Sequence, residues 1–449
     1  MVGVERVLGV ETEYGLSARA GGRRLSAPEA AELLFRPVVA EYRSANAFLG
    51  NGGRLYLDVG SHPEYATPEC RSLGQLLVAE RAGDELVAGL AARASRLAAE
   101  QGTDVRFRLF KNNVDSFGNS YGCHENYLVS RELDLGSAVD LLTPFLVTRQ
   151  VLCGSGRLVR GQFRISQRAD HLHDQLSALT TRARPLVNTR DEPLADPARF
   201  RRLHVLAGDS NLAEPSALLK VGTTASMLEL LDRPEGPDAR LAAFRLADPG
   251  TALRQVAGDP WVLLDLADGR RLSAVDLQRE HLELAAEHAE PAVAMLWTEV
   301  LDALAAHDPE RVADTVEWVA KRRLLEEFQQ RHRLAVDDPK LAQLDLAFHE
   351  LGGLAGLLEA SGAVRRLTDP GDVERALTGP PLDTRAAARS SFLEAARRRG
   401  VRHTVDWQTC TVHDLPDAAG RPFDRTVLLP DPLAPRSGEL DDLLAAIGE

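Results

Sequence analysis

The sequence predicts an α+β fold: a mixed or antiparallel sheet packed with helices on one side, followed by a small C-terminal α/β domain. Three observations lead there. Short stretches at 7–16, 54–58, 105–110 and 123–129 alternate or cluster apolar residues in the way strands do. Capped, helix-patterned segments and short polar returns lie between them, the arrangement of a sheet with helices on one face. Finally, TGPPLDT at 378–384 sets two adjacent prolines where neither helix nor sheet can continue, dividing 1–380 from 381–449.

The elements follow in order. The first strand, 7–16 (VLGVETEYGL), puts Glu11 and Glu13 on one face. Ser26 and Glu29 form a capping-box pattern with Pro28 in the first turn, and Pro37 is expected to end or kink the helix they open. The second strand is 54–58, and 62–67 continues it or turns into a third. Ser72 and Gln75 cap a long helix that reaches Glu100 and closes at Gly102. A strand at 105–110 leads through the polar loop 111–122 to a strand at 123–129, with further strand candidates at 163–166 and 203–207. DRPEGPD at 232–238 reads as a surface linker, and 273–332 is helical in pattern behind an S-x-x-D cap. Beyond the paired prolines come a helix, a short strand near 404–407 and an acidic C-terminal helix.

A chain of 449 residues exceeds one ordinary core, so a large domain with a smaller one is expected. The composition, 44% hydrophobic and 27% charged, is that of a globular protein. A net charge of −13 argues against a general nucleic-acid binder, which carries a basic surface. No apolar run approaches the roughly 18 residues of a membrane span, and the first residues lack the pattern of a signal peptide, so no membrane association and a cytoplasmic location are expected. Cys70, Cys123, Cys153 and Cys410 are scattered without a C-x-x-C pair, which argues against a zinc cluster or a disulfide framework. Lysine occurs only at Lys111, Lys220, Lys321 and Lys340. Codon bias in a GC-rich genome accounts for that more simply than avoidance of self-modification.

The stretch RLYLDVGSHPEYATPE (54–69) carries the most chemistry. Alternation puts Arg54, Tyr56 and Asp58 on one face and Leu55, Leu57 and Val59 on the other. With Glu11, Glu13 and Glu64, this face gathers acids, a phenol and a cation. Oxygen donors of this kind hold Mg²⁺ together with substrate phosphates, and an arginine suits a phosphate oxygen. A solvated strand face has the same polarity, and spacing alone leaves both readings open. His124 and Asn126 share a strand face but fit a hydrogen-bonded structural pair. GSGR (154–157) fails the phosphate-loop patterns, and the arginines of NTRD (188–191) and RRLH (201–204) fit surface salt bridges. Trp407 packs in the small domain or stacks on a base.

At ETEYG, RLYLDVGSHPEYATPEC, FKNNVDSFGNSYGCHENYL, PFLVTRQVLCGSGR, VNTRDEP, RRLHVLAGDSN and DDPKLAQLDLAFHE, the sequence resembles the Pup–protein ligase family of carboxylate-amine ligases, relatives of glutamine synthetase. The resemblance implies a glutamine-synthetase-like catalytic domain over 1–380. It also implies an ATP-dependent ligase that joins the side-chain carboxylate of Pup's C-terminal glutamate to lysines of target proteins through a γ-glutamyl phosphate, marking them for proteasomal degradation. Carried over by motif, Glu11, Tyr56 and Glu64 would be Mg²⁺ ligands, Arg54, Thr67 and Trp407 would contact ATP, and Asp58 would be the proton acceptor. Leu194 departs from the family, which usually has histidine after NTRDEP. Alternatives are the sibling depupylase and deamidase, an inactive Pup-binding adaptor, and a small-molecule γ-glutamyl ligase. The short span from 16 to 53 leaves no room for the long insertion of depupylases, which favours the ligase, although GSGR leans the other way.

Overall fold

Strand Leu8–Glu13 lies inside an eight-stranded sheet whose order is Asp174–Ser177, Pro185–Asn188, Phe200–Val205, Cys123–Ser130, Leu8–Glu13, His62–Ala66, Arg54–Asp58 and Asn46–Phe48. The computed structural model describes residues 6–172, 174–177, 185–233, 235–416 and 420–448. Every neighbouring pair is antiparallel except Asp174–Ser177 with Pro185–Asn188, so the sheet is mixed. Its two faces differ because side chains alternate. Leu8, Val10, Tyr127, Val129, Leu203 and Val205 enter the main core, together with Leu76, Phe145, Met227 and Trp297 from the covering helices. The opposite face carries Glu11, Glu13, His124, Asn126, Arg202 and His204. Among the described residues no helix is long and apolar enough to cross a membrane.

Several elements depart from the sequence expectations in instructive ways. The first strand is interrupted at Tyr14: Gly15–Ala20 leaves the main sheet and pairs with Arg23–Arg24 and Val105–Phe110 in a second sheet. Gly15 permits that crossing, because a Cβ there would lie 2.5 Å from the Tyr121 hydroxyl and 2.9 Å from Asn112 Oδ1. The capping box at Ser26 forms, but Pro37 does not end its helix, which runs Ala27–Tyr42. One lost backbone hydrogen bond is offset by burial of Leu34, Phe35 and Val38. The Arg54–Asp58 and His62–Ala66 strands are separate, joined by a turn in which Gly60 and Ser61 take φ of 90° and 67°. Val59 falls in that turn and is 79% exposed, so it does not share the buried apolar face expected for it.

The helical stretch from 273 resolves into Ala274–Ala285, Pro291–Ala305 and Glu317–His332, and the long helix into Leu73–Glu100 behind its Ser72 cap. Gln162–Arg164 forms a hairpin with Arg157–Val159 outside the main sheet. Past 384, helices Arg385–Arg399 and Gly438–Ala446 pack on a three-stranded antiparallel sheet, His403–Asp406, Thr409–Pro416 and Pro422–Leu428. Two of these strands escaped the sequence reading. This unit has its own apolar cluster, including Phe392, Cys410, Val412, Val427 and Leu443. Lys111, Lys220 and Lys321 are buried, while Lys340 is exposed.

One carboxylate ties helix Arg385–Arg399 to the main sheet. Glu69, just past strand His62–Ala66, accepts hydrogen bonds from Arg385 Nε (2.7 Å) and from Arg389 Nη1 and Nη2 (3.0 and 2.6 Å). Its backbone carbonyl accepts one from Thr384 Oγ1 (3.0 Å). Burial pushes the Glu69 carboxyl up, but the two guanidiniums outweigh it and hold it down at about 2. Glu69→Gln leaves two buried guanidiniums without their anion and should cost roughly 3–5 kcal/mol in urea unfolding. The folded pKa lies below the unfolded value of about 4.3. The clasp's contribution is therefore complete above that pH and is lost as pH falls from there toward 2. Wild type should lose stability across that window, and the variant should show a flatter profile.

Candidate active site

Register assembles the polar face. Glu13 lies opposite Glu64, Glu64 opposite Tyr56, and Asp58 opposite His62. Carboxylate oxygens of Glu13, Asp58 and Glu64 converge within 4.8 Å of one another. The Tyr56 hydroxyl donates to Glu64 Oε1 at 2.5 Å, and Gly122 N–H donates to Glu13 Oε1 at 2.6 Å. Glycine is required at 122, since a Cβ would stand 2.3 Å from His124 Nε2 and 2.6 Å from Glu13 Oε1.

The electrostatics of this cluster are unbalanced. Burial, then the charges of Glu11 and Glu13, push the Glu64 carboxyl well above its ordinary range. Burial also raises Glu13. The Tyr56 phenol is raised by burial and by Glu11 and Glu64. Three converging carboxylates in a partly desolvated site repel each other unless a cation joins them. Hard oxygen donors at this separation fit a divalent ion such as Mg²⁺.

Glu11 heads a second cluster. Its Oε2 lies 3.2 Å from His124 Nδ1 and 3.6 Å from His204 Nε2, and its Oε1 accepts from Asn126 Nδ2 at 3.2 Å, with Arg202 Nη1 3.6 Å away. Burial pushes Glu11 up, but the imidazoles of His124 and His204 beside it outweigh burial and bring the carboxyl well below its usual range. His204 is buried and its Nε2 has no hydrogen-bond partner. One carboxylate and two imidazoles within 4.8 Å make a mixed nitrogen–oxygen donor set, which also suits a divalent ion.

A pocket opens beside Glu11. Its walls include Glu11, Thr67, Asn126, Leu194, Arg202 and Trp407. Thr67 Oγ1 accepts from Val10 N–H at 3.0 Å, fixing its side chain. Trp407 arrives from the C-terminal unit, half-buried, with its ring edge-on to Phe48 at 5.0 Å. Leu194 holds a left-handed φ of 52°, and its carbonyl accepts from Arg385 Nη2 at 2.5 Å. Past His62, the strand partner of Asp58, runs a groove of about 1250 Å³, lined also by Tyr121, Arg19, Arg24, Arg106 and Arg108.

The fold thus brings Glu11, Thr67 and Trp407 around one pocket, and Tyr56, Asp58 and Glu64 into the neighbouring cluster. Arg54 is not a wall of that pocket. Its guanidinium lies over the rings of Tyr56 (4.5 Å) and Phe48 (5.7 Å), and its Nε donates to Asn46 Oδ1 at 2.7 Å. Sequence reasoning assigned His124 and Asn126 to structure, and the RRLH arginines to surface salt bridges. His124, Asn126 and Arg202 face the site, with His204 opposite Asn126 and His124 opposite Glu11, while Arg202 also pairs with Glu192 and Arg201 Nε donates to the Arg131 carbonyl. Their signal was the period-two polar pattern already noticed at 54–58, present in CHEN and in RRLH.

Similarity to known proteins agrees with this geometry. The family described as Pup-ligase protein matches residues 6–411. The Pup–protein ligase of Saccharomonospora viridis is 45% identical over 445 residues, covering 95% of this chain and 96% of that protein. The Pup–protein ligase of Actinosynnema mirum is 44% identical over 460 residues, covering 98% and 99%. Among solved structures, the ligase PafA in complex with the prokaryotic ubiquitin-like protein Pup superposes with a TM-score of 0.89 at 40% identity, over 99% of this chain and 92% of that one. PafA in complex with ADP superposes with a TM-score of 0.81 at 40% identity, over 94% of each chain.

The carboxylate repulsion has a measurable consequence. Adding MgCl₂ to chelator-treated, nucleotide-free protein should raise its thermal midpoint, by the equivalent of about 2.7 kcal/mol at a hundredfold excess over the dissociation constant. Glu64→Gln relieves the repulsion, so it should raise the metal-free midpoint and remove most of the Mg²⁺-dependent rise. A variant that keeps the full rise would exclude Glu64 from the ion's site.

Proposed function

Since the chain belongs to the Pup–protein ligase family, we propose that it uses ATP to join the side-chain carboxylate of Pup's C-terminal glutamate to lysine side chains of target proteins. One observation carries this reading at the level of residues. Glu11 and Glu13, two positions apart on one strand, head two adjoining clusters. The Glu11 cluster faces a pocket walled by Thr67 and Trp407, and the arginine-lined groove begins at His62, the strand neighbour of Asp58 in the Glu13 cluster. A nucleotide in the pocket and a polypeptide tail in the groove would meet between them.

The residues then divide the chemistry. Thr67, Asn126 and Trp407 hold the nucleotide, while Arg54 and Arg202 attract its phosphates. Glu11, Tyr56 and Glu64 would hold Mg²⁺, with Glu13, His124 and His204 completing the donor sets. Bound there, Mg²⁺ supplies neutralisation of phosphate charge and orientation of the phosphoryl group. The γ-carboxylate of Pup attacks the terminal phosphate of ATP, releasing ADP and leaving a γ-glutamyl phosphate. A lysine amine displaces phosphate from that acyl group and forms the isopeptide bond. A free lysine has a pKa of about 10.4, so its amine is almost wholly protonated at neutral pH. Asp58, half-buried and paired in register with the groove residue His62, accepts the proton as attack proceeds. The four arginines of the groove suit an acidic polypeptide.

Residues 1–380 form the catalytic domain in this reading, and 381–449 a smaller one that closes the pocket with Trp407. Cytoplasm is the proposed compartment, supported by four cysteines that are all free and buried. Between Leu16 and Gly53 the chain is occupied by the end of Gly15–Ala20, Arg23–Arg24, Ala27–Tyr42 and Asn46–Phe48, which supports ligation over depupylation.

Two assays test the proposal. Asp58→Asn keeps the shape but cannot take the lysine proton, so conjugation should fall by roughly 10²–10⁴-fold while ATP binding by calorimetry stays measurable. Near-normal conjugation at neutral pH would remove Asp58 from the role. Separately, Pup ending in glutamate should give conjugate with Mg-ATP, and Pup ending in glutamine should be little converted. Mass spectrometry showing efficient deamidation and no conjugate would identify the sibling activity instead.

A further inference from the structure

We infer that Arg389 is a positioning residue for the nucleotide: it fixes the indole of Trp407 at the pocket and so sets ATP affinity without touching ATP. The inference rests on reading Trp407 as a nucleotide contact, and it goes beyond that reading by naming what holds Trp407 in place.

Arg389 is fully buried, yet it does not line the pocket. Its Nη1 donates to the Trp407 carbonyl at 3.0 Å and to Glu69 Oε1 at 3.0 Å. Its Nη2 donates to the Gly52 carbonyl at 2.7 Å and to Glu69 Oε2 at 2.6 Å. The same guanidinium lies 5.0 Å from the Trp407 ring centroid and 5.2 Å from that of Phe48. One planar cation therefore grips the backbone of Trp407, its ring, and the ring that Trp407 leans on.

Trp407 needs that support. It occupies a two-residue connection between His403–Asp406 and Thr409–Pro416, where Asp406 pairs with Thr409. Such a connection has little packing of its own, and a half-exposed indole on it has few constraints beyond Phe48. Lysine could satisfy Glu69 but not the rest. Only a fork reaches Gly52, Glu69 and Trp407 carbonyl together while its face meets the two rings. Arg385, by contrast, lines the pocket directly and bonds the Leu194 and Leu429 carbonyls. The two arginines share Glu69 and differ in reach.

The experiment is a double-mutant cycle in the full-length enzyme, read as conjugation kinetics against ATP concentration. Arg389→Lys should raise KM for ATP about tenfold, the effect of losing a charged hydrogen bond or a buried cation–π contact, with kcat at saturating ATP within about twofold. Trp407→Leu should act in the same direction, and the double variant should be no worse than Trp407→Leu alone. Phe48→Leu leaves the Arg389–Glu69 pair intact. It should also raise KM alone, and it decides the matter if Arg389→Lys fails to fold by urea unfolding. Additive losses in the double variant, or a fall in kcat with KM unchanged, would overturn the role of Arg389. An unchanged KM in Trp407→Leu would instead overturn the nucleotide reading of Trp407, and the proposal with it.

Discussion

The antiparallel register around Leu8–Glu13 is the constraint on which the site depends. Alternation sends Val10 and Leu8 into the helix-covered core and Glu11 and Glu13 to the open face. Pairing on both sides then decides which groups those glutamates meet: Glu64 across one edge, His124 across the other. A slip of one residue would bury both carboxylates among leucines and place Val10 in the site, so the apolar face pins the register of the polar one.

The polar face is electrostatically unfinished. Glu13, Asp58 and Glu64 crowd together and repel one another, whereas carboxylates elsewhere in the interior are met by cations: Glu125 by Arg149, and Glu80 and Asp84 by Lys111. Stability alone would favour the second arrangement. A cluster that keeps its repulsion stays available to a cation. The same contrast explains the fate of the lysines. Lys111, Lys220 and Lys321 are enclosed by acids, carbonyls or histidine, so only Lys340 is exposed to lysine-directed chemistry.

The pocket beside Glu11 is composite. Thr67 and Glu11 come from the central strands, Leu194 from the connection before Phe200–Val205, and Trp407 from the small C-terminal sheet. Glu69 holds these parts together, because it immediately follows Thr67-Pro68 and binds Arg385 and Arg389 of helix Arg385–Arg399. A charge pair buried this deeply costs desolvation, but it joins two apolar cores at one orientation.

The sequence by itself determined the strands at 54–58, 105–110 and 123–129, the caps at Ser26 and Ser72, the alternation that puts Arg54, Tyr56 and Asp58 on one face, and the family to which the motifs belong. Those are local properties, set by periods of two and 3.6 and by short contiguous patterns. Tertiary structure alone decided that His124, Asn126, Arg202 and His204 join Glu11, that Glu69 meets Arg385 and Arg389 more than 300 positions away, and that Arg54 lies over two rings outside the pocket. It also carried Pro37 through its helix and turned Gly15 into a second sheet. Pairing partners are set by which apolar faces bury together, and a linear pattern holds each face without naming its neighbour.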